Sequence, residues 1–127
     1  MITVTRDQIP VEETIISLRS PECGAVISYL GTVRNYLYDR QSKGLSFEVD
    51  DAVMREKLQE VEAETLQRFE VSRMAIVHRT GSFDISDTIL LVAISAGHRG
   101  PAFDACHYAI DRLKELHEEW KREELAG

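Results

Sequence analysis

The stretch that decides the fold runs from Ser95 to Glu123 and reads SAGHRGPAFDACHYAIDRLKELHEEWKRE. It begins as the end of an apolar run, turns, and then has the pattern of one long amphipathic helix from Pro101 onward. Three basic or titratable side chains recur along this predicted helix at intervals of seven residues: His107, Lys114 and Lys121. Seven residues make about two turns, so the three are expected on one stripe, with neighbours roughly 10.5 Å apart. This stripe therefore concentrates positive charge on one face.

This cationic stripe belongs to a chain that is acidic overall. The 127 residues include 15 Lys and Arg against 22 Asp and Glu, a net charge of −7, and 43% of them are hydrophobic. These values predict one soluble globular domain over residues 1–127. An acidic chain is unsuited to general nucleic-acid binding, whereas a few clustered cations can bind a small anion. No apolar run suits a membrane span, no signal peptide is visible, and Cys23 and Cys106 are isolated, so we expect a cytoplasmic protein with reduced thiols.

Hydrophobic periodicity predicts the other elements. Strands are expected over five segments: 1–6, 24–35, 45–49, 73–79 and 88–96. A short helix is expected after Pro10 and a longer one over 50–69, whereas the polar residues 36–44 predict a mobile loop. Because helices alternate with strands that follow one another directly, the order favours the α+β class with a mixed or antiparallel sheet.

Three places in the chain have side chains suited to binding an anion. His98 and Arg99 lie between the most apolar strand and the long helix, where free backbone N–H groups and a guanidinium can converge on one anion. Arg34 ends a strand just after Gly31, whose place in the strand suggests a bulge or a close backbone approach. Lys114 and Lys121 follow on the long helix.

Each of these features also has a plain structural explanation. Asp111 and Glu118 precede the two lysines by three positions, and such spacing is typical of surface ion pairs on a helix. A strand-end arginine and a helix-capping histidine are equally ordinary at the other two places. The sequence contains no zinc spacing, phosphate-binding loop, dinucleotide fingerprint or Ser-His-Asp arrangement, so we expect no metal site.

Taken together, three segments resemble the catalytic (large) subunit of molybdopterin synthase: GAVISYLGTVRN (24–35), AIVHRTGSFDISDTILLVAISAGHRGPAF (75–103) and ACHYAIDRLKELHEEWKRE (105–123). Their shared motifs are G-x-VRN, IVHR-x-G, HR-x-x-AF, and LK followed by WK-x-E. The resemblance implies an α/β-hammerhead-like α+β domain with a long C-terminal helix. It also implies a homodimer within a heterotetramer, completed by a small ubiquitin-like sulfur-carrier subunit.

The activity that the resemblance implies is a sulfur transfer in molybdenum cofactor biosynthesis. The Gly-Gly C-terminus of the carrier enters the active site as a thiocarboxylate. Its sulfur passes to cyclic pyranopterin monophosphate and forms the dithiolene of molybdopterin. Both substrates are anionic, which suits a cationic pocket, and lysine and arginine can stabilise an oxyanion and move protons without a metal. We expect no cofactor, since the pterin is the substrate and the product.

The same resemblance gives seven residues a role: catalytic Lys114 and Lys121; substrate-binding Arg34, His98 and Arg99; and partner-tail pocket Tyr29 and Ile110. It implies that Lys114 meets the thiocarboxylate carbonyl, that Lys121 and Arg99 hold the phosphate, and that all line one pocket.

Two other functions stay open on the sequence. Glu118 and Glu119 stand where the family pattern has neither charge, which is consistent with a non-catalytic dimeric module that binds a Gly-Gly tail. A regulatory domain that binds a small anion through His98, Arg99 and the helix N-terminus is the other alternative.

Overall fold

Two β-sheets and two long helices make up the framework of the protein. The structure is a computed structural model and describes residues 1–37 and 40–125. Within these ranges the elements are β1 (Ile2–Thr5), α1 (Val11–Ser17), β2 (Ala25–Thr32), β3 (Tyr36–Leu37), β4 (Arg40–Phe47), α2 (Asp51–Arg68), β5 (Arg73–Arg79), β6 (Gly81–Asp84), β7 (Thr88–Ala96), α3 (Arg99–Trp120) and β8 (Lys121–Leu125).

The first sheet has the strand order β1-β5-β7-β2. β1 and β5 are parallel, and the other pairs are antiparallel, so the sheet is mixed. β7 is buried from Ile89 to Ala96 because side chains cover both faces of the sheet. One face packs on α2 and α3, and Leu18 beside α1 belongs to the cluster on the other. This arrangement explains the continuous apolar run of β7, which is typical of a strand buried on both faces.

Helix α2 confirms the sequence prediction closely. Its N-cap is Asp50, whose carboxylate accepts hydrogen bonds from the backbone N–H groups of Ala52 and Val53. Such a cap satisfies N–H groups that have no partner inside the helix. The buried face of α2 consists of Met54, Leu58, Val61 and Thr65. The α+β class with a mixed sheet and a long helix near the C-terminus is likewise confirmed.

The predicted loop over 36–44 is wrong for the described residues of that segment, while residues 38 and 39 lie outside the description. β3 and β4 are strands of the second sheet, which has the order β3-β4-β6, and β8 pairs with β4. Where the side chains of this segment are described, Gln41 and Lys43 are exposed, whereas Ser42 and Gly44 are buried. Gly44 has a steric role in β4, because a Cβ there would lie 2.5 Å from the carbonyl oxygen of Phe83. Glycine in a strand commonly marks such a close approach of two backbones.

The long helix differs from the prediction at both ends. α3 begins at Arg99 and ends at Trp120, and Lys121 has extended dihedral angles, φ −82° and ψ 136°. Trp120 is 5% exposed and anchors the helix end in the core, and its carbonyl oxygen accepts a 3.2 Å hydrogen bond from the Glu48 N–H. The chain then continues as β8, in which Lys121 lies opposite Phe47. His107 and Lys114 therefore share a helix, whereas Lys121 begins a strand.

Gly44→Ala is expected to destabilise the protein by about 1–3 kcal/mol, because the new methyl group collides with a backbone oxygen that is itself fixed in β6. Gly100→Ala is the matched control, since a Cβ at Gly100 meets nothing within 4 Å. Urea denaturation of both variants provides the measurement. Equal midpoints for the two variants would contradict the close approach of β4 and β6.

Candidate active site

A cleft of about 440 Å³ lies between the end of β2, strand β4 and the second half of α3. Its apolar and aromatic lining comprises Tyr29, Leu45, Phe47, Ile89, Leu90, Ile110 and Leu113. Its charged lining comprises Arg34, Lys114, Glu118 and Lys121. Three cations against one carboxylate make the cleft positively charged in a chain whose net charge is −7. Such a cleft suits an anionic ligand that also has an apolar part. It equally suits an anion bound beside an extended apolar chain.

Arg34 reaches the cleft because β2 changes its register just before it. The pairing with β7 shifts between Gly31 and Thr32, which confirms the bulge that Gly31 suggested. The next residue, Val33, is 2% exposed and is held through both backbone groups: its N–H donates to the Asp87 carbonyl at 3.0 Å, and its carbonyl accepts from the Ser86 N–H at 2.7 Å. The backbone that carries Arg34 is therefore fixed.

Lys114 lies on α3 next to buried Leu113, with its own side chain exposed at the cleft. The predicted surface ion pair with Asp111 is wrong. Asp111 instead contacts His107 on the outer face, with Oδ2 3.5 Å from Nε2, and none of the described residues forms an ion pair with Lys114. The ammonium of Lys114 is therefore available to a ligand in the cleft.

Lys121 reaches the same cleft from β8 rather than from the helix. Its backbone N–H donates to the His117 carbonyl, which is the last hydrogen bond of α3. From Lys121 onward the backbone is extended and forms β8. The spacing that suggested a helix-surface pair with Glu118 does not apply, since Lys121 is no longer helical. The two lysines come together because the helix ends between them.

His98 and Arg99 lie at the opposite end of α3. Ala96 pairs with Ala25 at that end of the sheet, whereas the cleft lies near the Gly31–Leu90 pair. Arg99 and Lys114 are fifteen positions apart, which is about 22 Å along a helix. The expectation that the His-Arg pair lines the same pocket as the lysines is therefore wrong within one chain. The cleft brings together five of the seven predicted residues: Tyr29, Arg34, Ile110, Lys114 and Lys121.

His117 also lines the cleft, and the sequence prediction passed over it. His78 is fully buried, and its Nδ1 lies 2.8 Å from the Arg79 carbonyl, so Nδ1 carries the proton and donates. The Nε2 atom of His78 must then accept, and the Nε2–H of His117 donates to it at 2.8 Å. The clue in the sequence was spacing, since His117 follows Lys114 by three residues and so shares its helix face.

Both imidazoles are held neutral. Burial lowers the pKa of His78 to about 4. Burial also lowers the pKa of His117 to about 3, assisted by the neighbouring His78 and the positive charge of Lys121. A neutral His117 adds a fixed polar group to the cleft without adding charge.

Comparison with known proteins decides the family. The family model described as MoaE protein matches residues 4–116. The chain belongs to the MoaE protein family. The molybdopterin synthase catalytic subunit of Bacillus subtilis is 32% identical to it over 120 residues, which cover 94% of this chain and 76% of that protein. The protein of the same name from Pyrococcus abyssi is 33% identical over 113 residues, or 89% of this chain and 76% of that one.

Solved structures agree with the sequence relatives. The crystal structure of molybdopterin synthase from Staphylococcus aureus superposes with a TM-score of 0.86 at 28% identity, covering 98% of this chain and 90% of that one. The resemblance found from the four sequence motifs is therefore confirmed. Within residues 1–37 and 40–125, no helix has the length and apolar character needed to cross a bilayer.

Proposed function

We propose that this protein is the catalytic subunit of a molybdopterin synthase and acts in the cytoplasm. It transfers sulfur from the thiocarboxylate at the Gly-Gly terminus of a small ubiquitin-like carrier to cyclic pyranopterin monophosphate. The observation that carries this proposal is the cleft itself, in a member of the MoaE family. It gathers Arg34, Lys114 and Lys121 beside an apolar wall.

The reaction needs the groups that the cleft provides. The thiocarboxylate sulfur bonds to a carbon of the pterin side chain while a C–O bond of that carbon breaks. The oxygen leaves with its phosphate or, once protonated, as water, and the pterin is then joined to the carrier tail as a thioester. Water then cleaves the thioester, which releases the tail as a carboxylate and leaves the sulfur on the pterin. A negatively charged oxygen develops at the tail carbonyl during cleavage, and the ammonium of Lys114 stabilises it. Lys121 and Arg34 bind the phosphate and orient the pterin.

The apolar wall suits the end of the carrier. Tyr29 and Ile110 are half-buried and line the cleft beside Lys114. A Gly-Gly tail has no side chains, so its backbone can approach these residues and bring the terminal thiocarboxylate to the lysine. The tail therefore enters along the wall formed by β2 and α3.

His98 and Arg99 can contribute to an anion site if they reach the cleft of a second copy of the chain. β2 lies at the edge of its sheet, and among the described residues only β7 pairs with it, so its outer edge is open to another strand. Antiparallel pairing of two β2 edges about a twofold axis places the Ala25 end of one copy beside the Thr32 end of the other. In such a homodimer, His98 and Arg99 of each copy approach the cleft of its neighbour and complete the anion site.

This arrangement predicts complementation between two inactive variants. Arg99→Ala and Lys114→Ala each disable every site in their own homodimers. When they are mixed, half of the dimers are heterodimers, and each heterodimer has one intact site, so activity is expected to return to about a quarter of the wild-type value. The measurement is product formation by refolded or co-expressed mixtures. Absence of any recovery, with heterodimers present, would contradict a site shared between copies.

Reconstitution tests the function itself. The purified protein is mixed with a thiocarboxylated carrier and the pterin precursor, and molybdopterin is measured. We expect product with the thiocarboxylated carrier and none with the same carrier ending in a carboxylate. Binding of the carrier without product formation would instead support the non-catalytic module, and failure to bind the carrier would support the anion-binding regulatory domain.

A further inference from the structure

We propose that His117 is a positioning residue that fixes Lys121 in the cleft, an inference that rests on the proposed role of Lys121 in binding the substrate phosphate. His117 is joined to the core through its ring and to Lys121 through its backbone. The two attachments act at the point where α3 ends and β8 begins.

The ring of His117 has little freedom to turn. Its Nε2–H donates to His78, whose own orientation is set by the Arg79 carbonyl. The ring of Phe47 packs against both imidazoles, with centroids 4.6 Å from that of His78 and 5.1 Å from that of His117. Rotation of the His117 ring would leave a buried acceptor on His78 without its donor, which is costly in a core.

The backbone of His117 holds the start of β8. Its carbonyl accepts the Lys121 N–H, and the chain leaves the helix at that residue. The neighbouring Trp120 is buried, and Lys121 lies opposite Phe47 in the pairing of β8 with β4. The Cα of Lys121 is thus fixed from α3, from β4 and, through the His117 ring, from β5. A cation held in this way loses less conformational freedom when it binds an anion.

The neutrality of the His117 ring supports the same positioning of Lys121. From β5 it faces His78, from β8 it faces Lys121, and within the cleft it lies with Arg34, Lys114 and Glu118. Because its pKa is well below the usual value, the ring remains uncharged at neutral pH beside these cations. His117 therefore restrains the backbone of Lys121 through its carbonyl, while its fixed, uncharged ring does not repel the Lys121 ammonium group.

Three substitutions at position 117 test this inference. His117→Gln keeps an amide N–H that can donate to His78, whereas His117→Val removes the donor and His117→Asn is too short to deliver one. We expect KM for the pterin precursor to rise about tenfold in the Val and Asn variants, with kcat changed far less, and KM to remain within about threefold of wild type in the Gln variant. His107→Gln is the matched control, since His107 is exposed on the same helix outside the cleft.

Inorganic phosphate provides a readout that does not depend on turnover. Its dissociation constant, followed through the side-chain NMR signals of Lys121, should rise about tenfold in the Val and Asn variants and little in the Gln variant. This result in a protein that forms no molybdopterin would support the positioning role while overturning the proposed function. Wild-type KM and phosphate affinity in all three variants, even with lowered thermal stability, would show that His117 is only structural and overturn the inference.

Discussion

Lys114→Ala is expected to lower the rate of sulfur transfer by about 10²–10³-fold, which is the usual effect of removing one group that stabilises a developing oxyanion. Lys114 faces the cleft and none of the described residues forms an ion pair with it, because Asp111 contacts His107 instead. Its ammonium is therefore free to meet the tail carbonyl. The measurement is single-turnover product formation with a thiocarboxylated carrier, which separates the chemical step from product release.

Two companion variants make this prediction specific. Lys121→Ala is expected to act mainly through KM for the pterin precursor, because its proposed partner is the substrate phosphate. His107→Ala alters the same helix seven residues before Lys114 but lies outside the cleft, so its rate should equal that of wild type. A Lys114→Ala variant that retained more than about half of the wild-type rate would exclude the oxyanion role, since loss of such a group changes rates by orders of magnitude.

Acidification from about pH 7 to about pH 5 is expected to destabilise the protein by roughly 2–4 kcal/mol through His78 and His117. Their folded-state pKa values are about 4 and about 3, below the ordinary value of 6.5. As pH falls below 6.5, the unfolded chain takes up protons that the folded protein cannot, so unfolding becomes more favourable. The loss continues until the pH reaches the folded-state values. Urea midpoints measured across this range provide the test.

The His117→Gln variant assigns the effect to the histidine pair. It removes one of the two titrating groups and keeps a donor for His78, so the dependence of the urea midpoint on pH should become clearly shallower. His107→Gln is the comparison variant, because His107 is exposed on the same helix. A urea midpoint for wild type that does not change between about pH 7 and about pH 5 would contradict the burial of two neutral imidazoles.

Local patterns in the sequence predicted the helices and strands whose formation depends on neighbouring residues. The apolar strand β7 and the extent of helix α2 were both visible. The end of α3 was not visible, because it depends on the burial of Trp120 and on pairing between β8 and β4, which lie more than seventy positions apart in the chain. Residues 36–44 resembled a loop because only the pairing of β3 with β4 is local, whereas the other partners of β4 are the distant strands β6 and β8.

Site residues that lie on one helix or strand were predictable from the sequence. Those that several elements bring together were less predictable. Lys114 and Ile110 share one face of α3, and the bulge at Gly31 directs the chain to Arg34. Arg99 lies far from Lys114 because a continuous helix separates the two residues. The family motifs give the residues but not the distance between them. His117 escaped notice because its partner, His78, is 39 residues away and becomes its neighbour only through folding.

Sulfur balance in a single turnover tests the central claim most directly. The carrier with its thiocarboxylate is mixed with excess protein and pterin precursor, and the mass of the carrier tail and the sulfur content of the pterin are followed together. The cleft described here predicts that the tail becomes a carboxylate at the rate at which the pterin gains sulfur, and that Lys114→Ala slows both equally. A tail that keeps its sulfur in the presence of the precursor, with the carrier bound, would contradict the assignment of this cleft as the site of transfer.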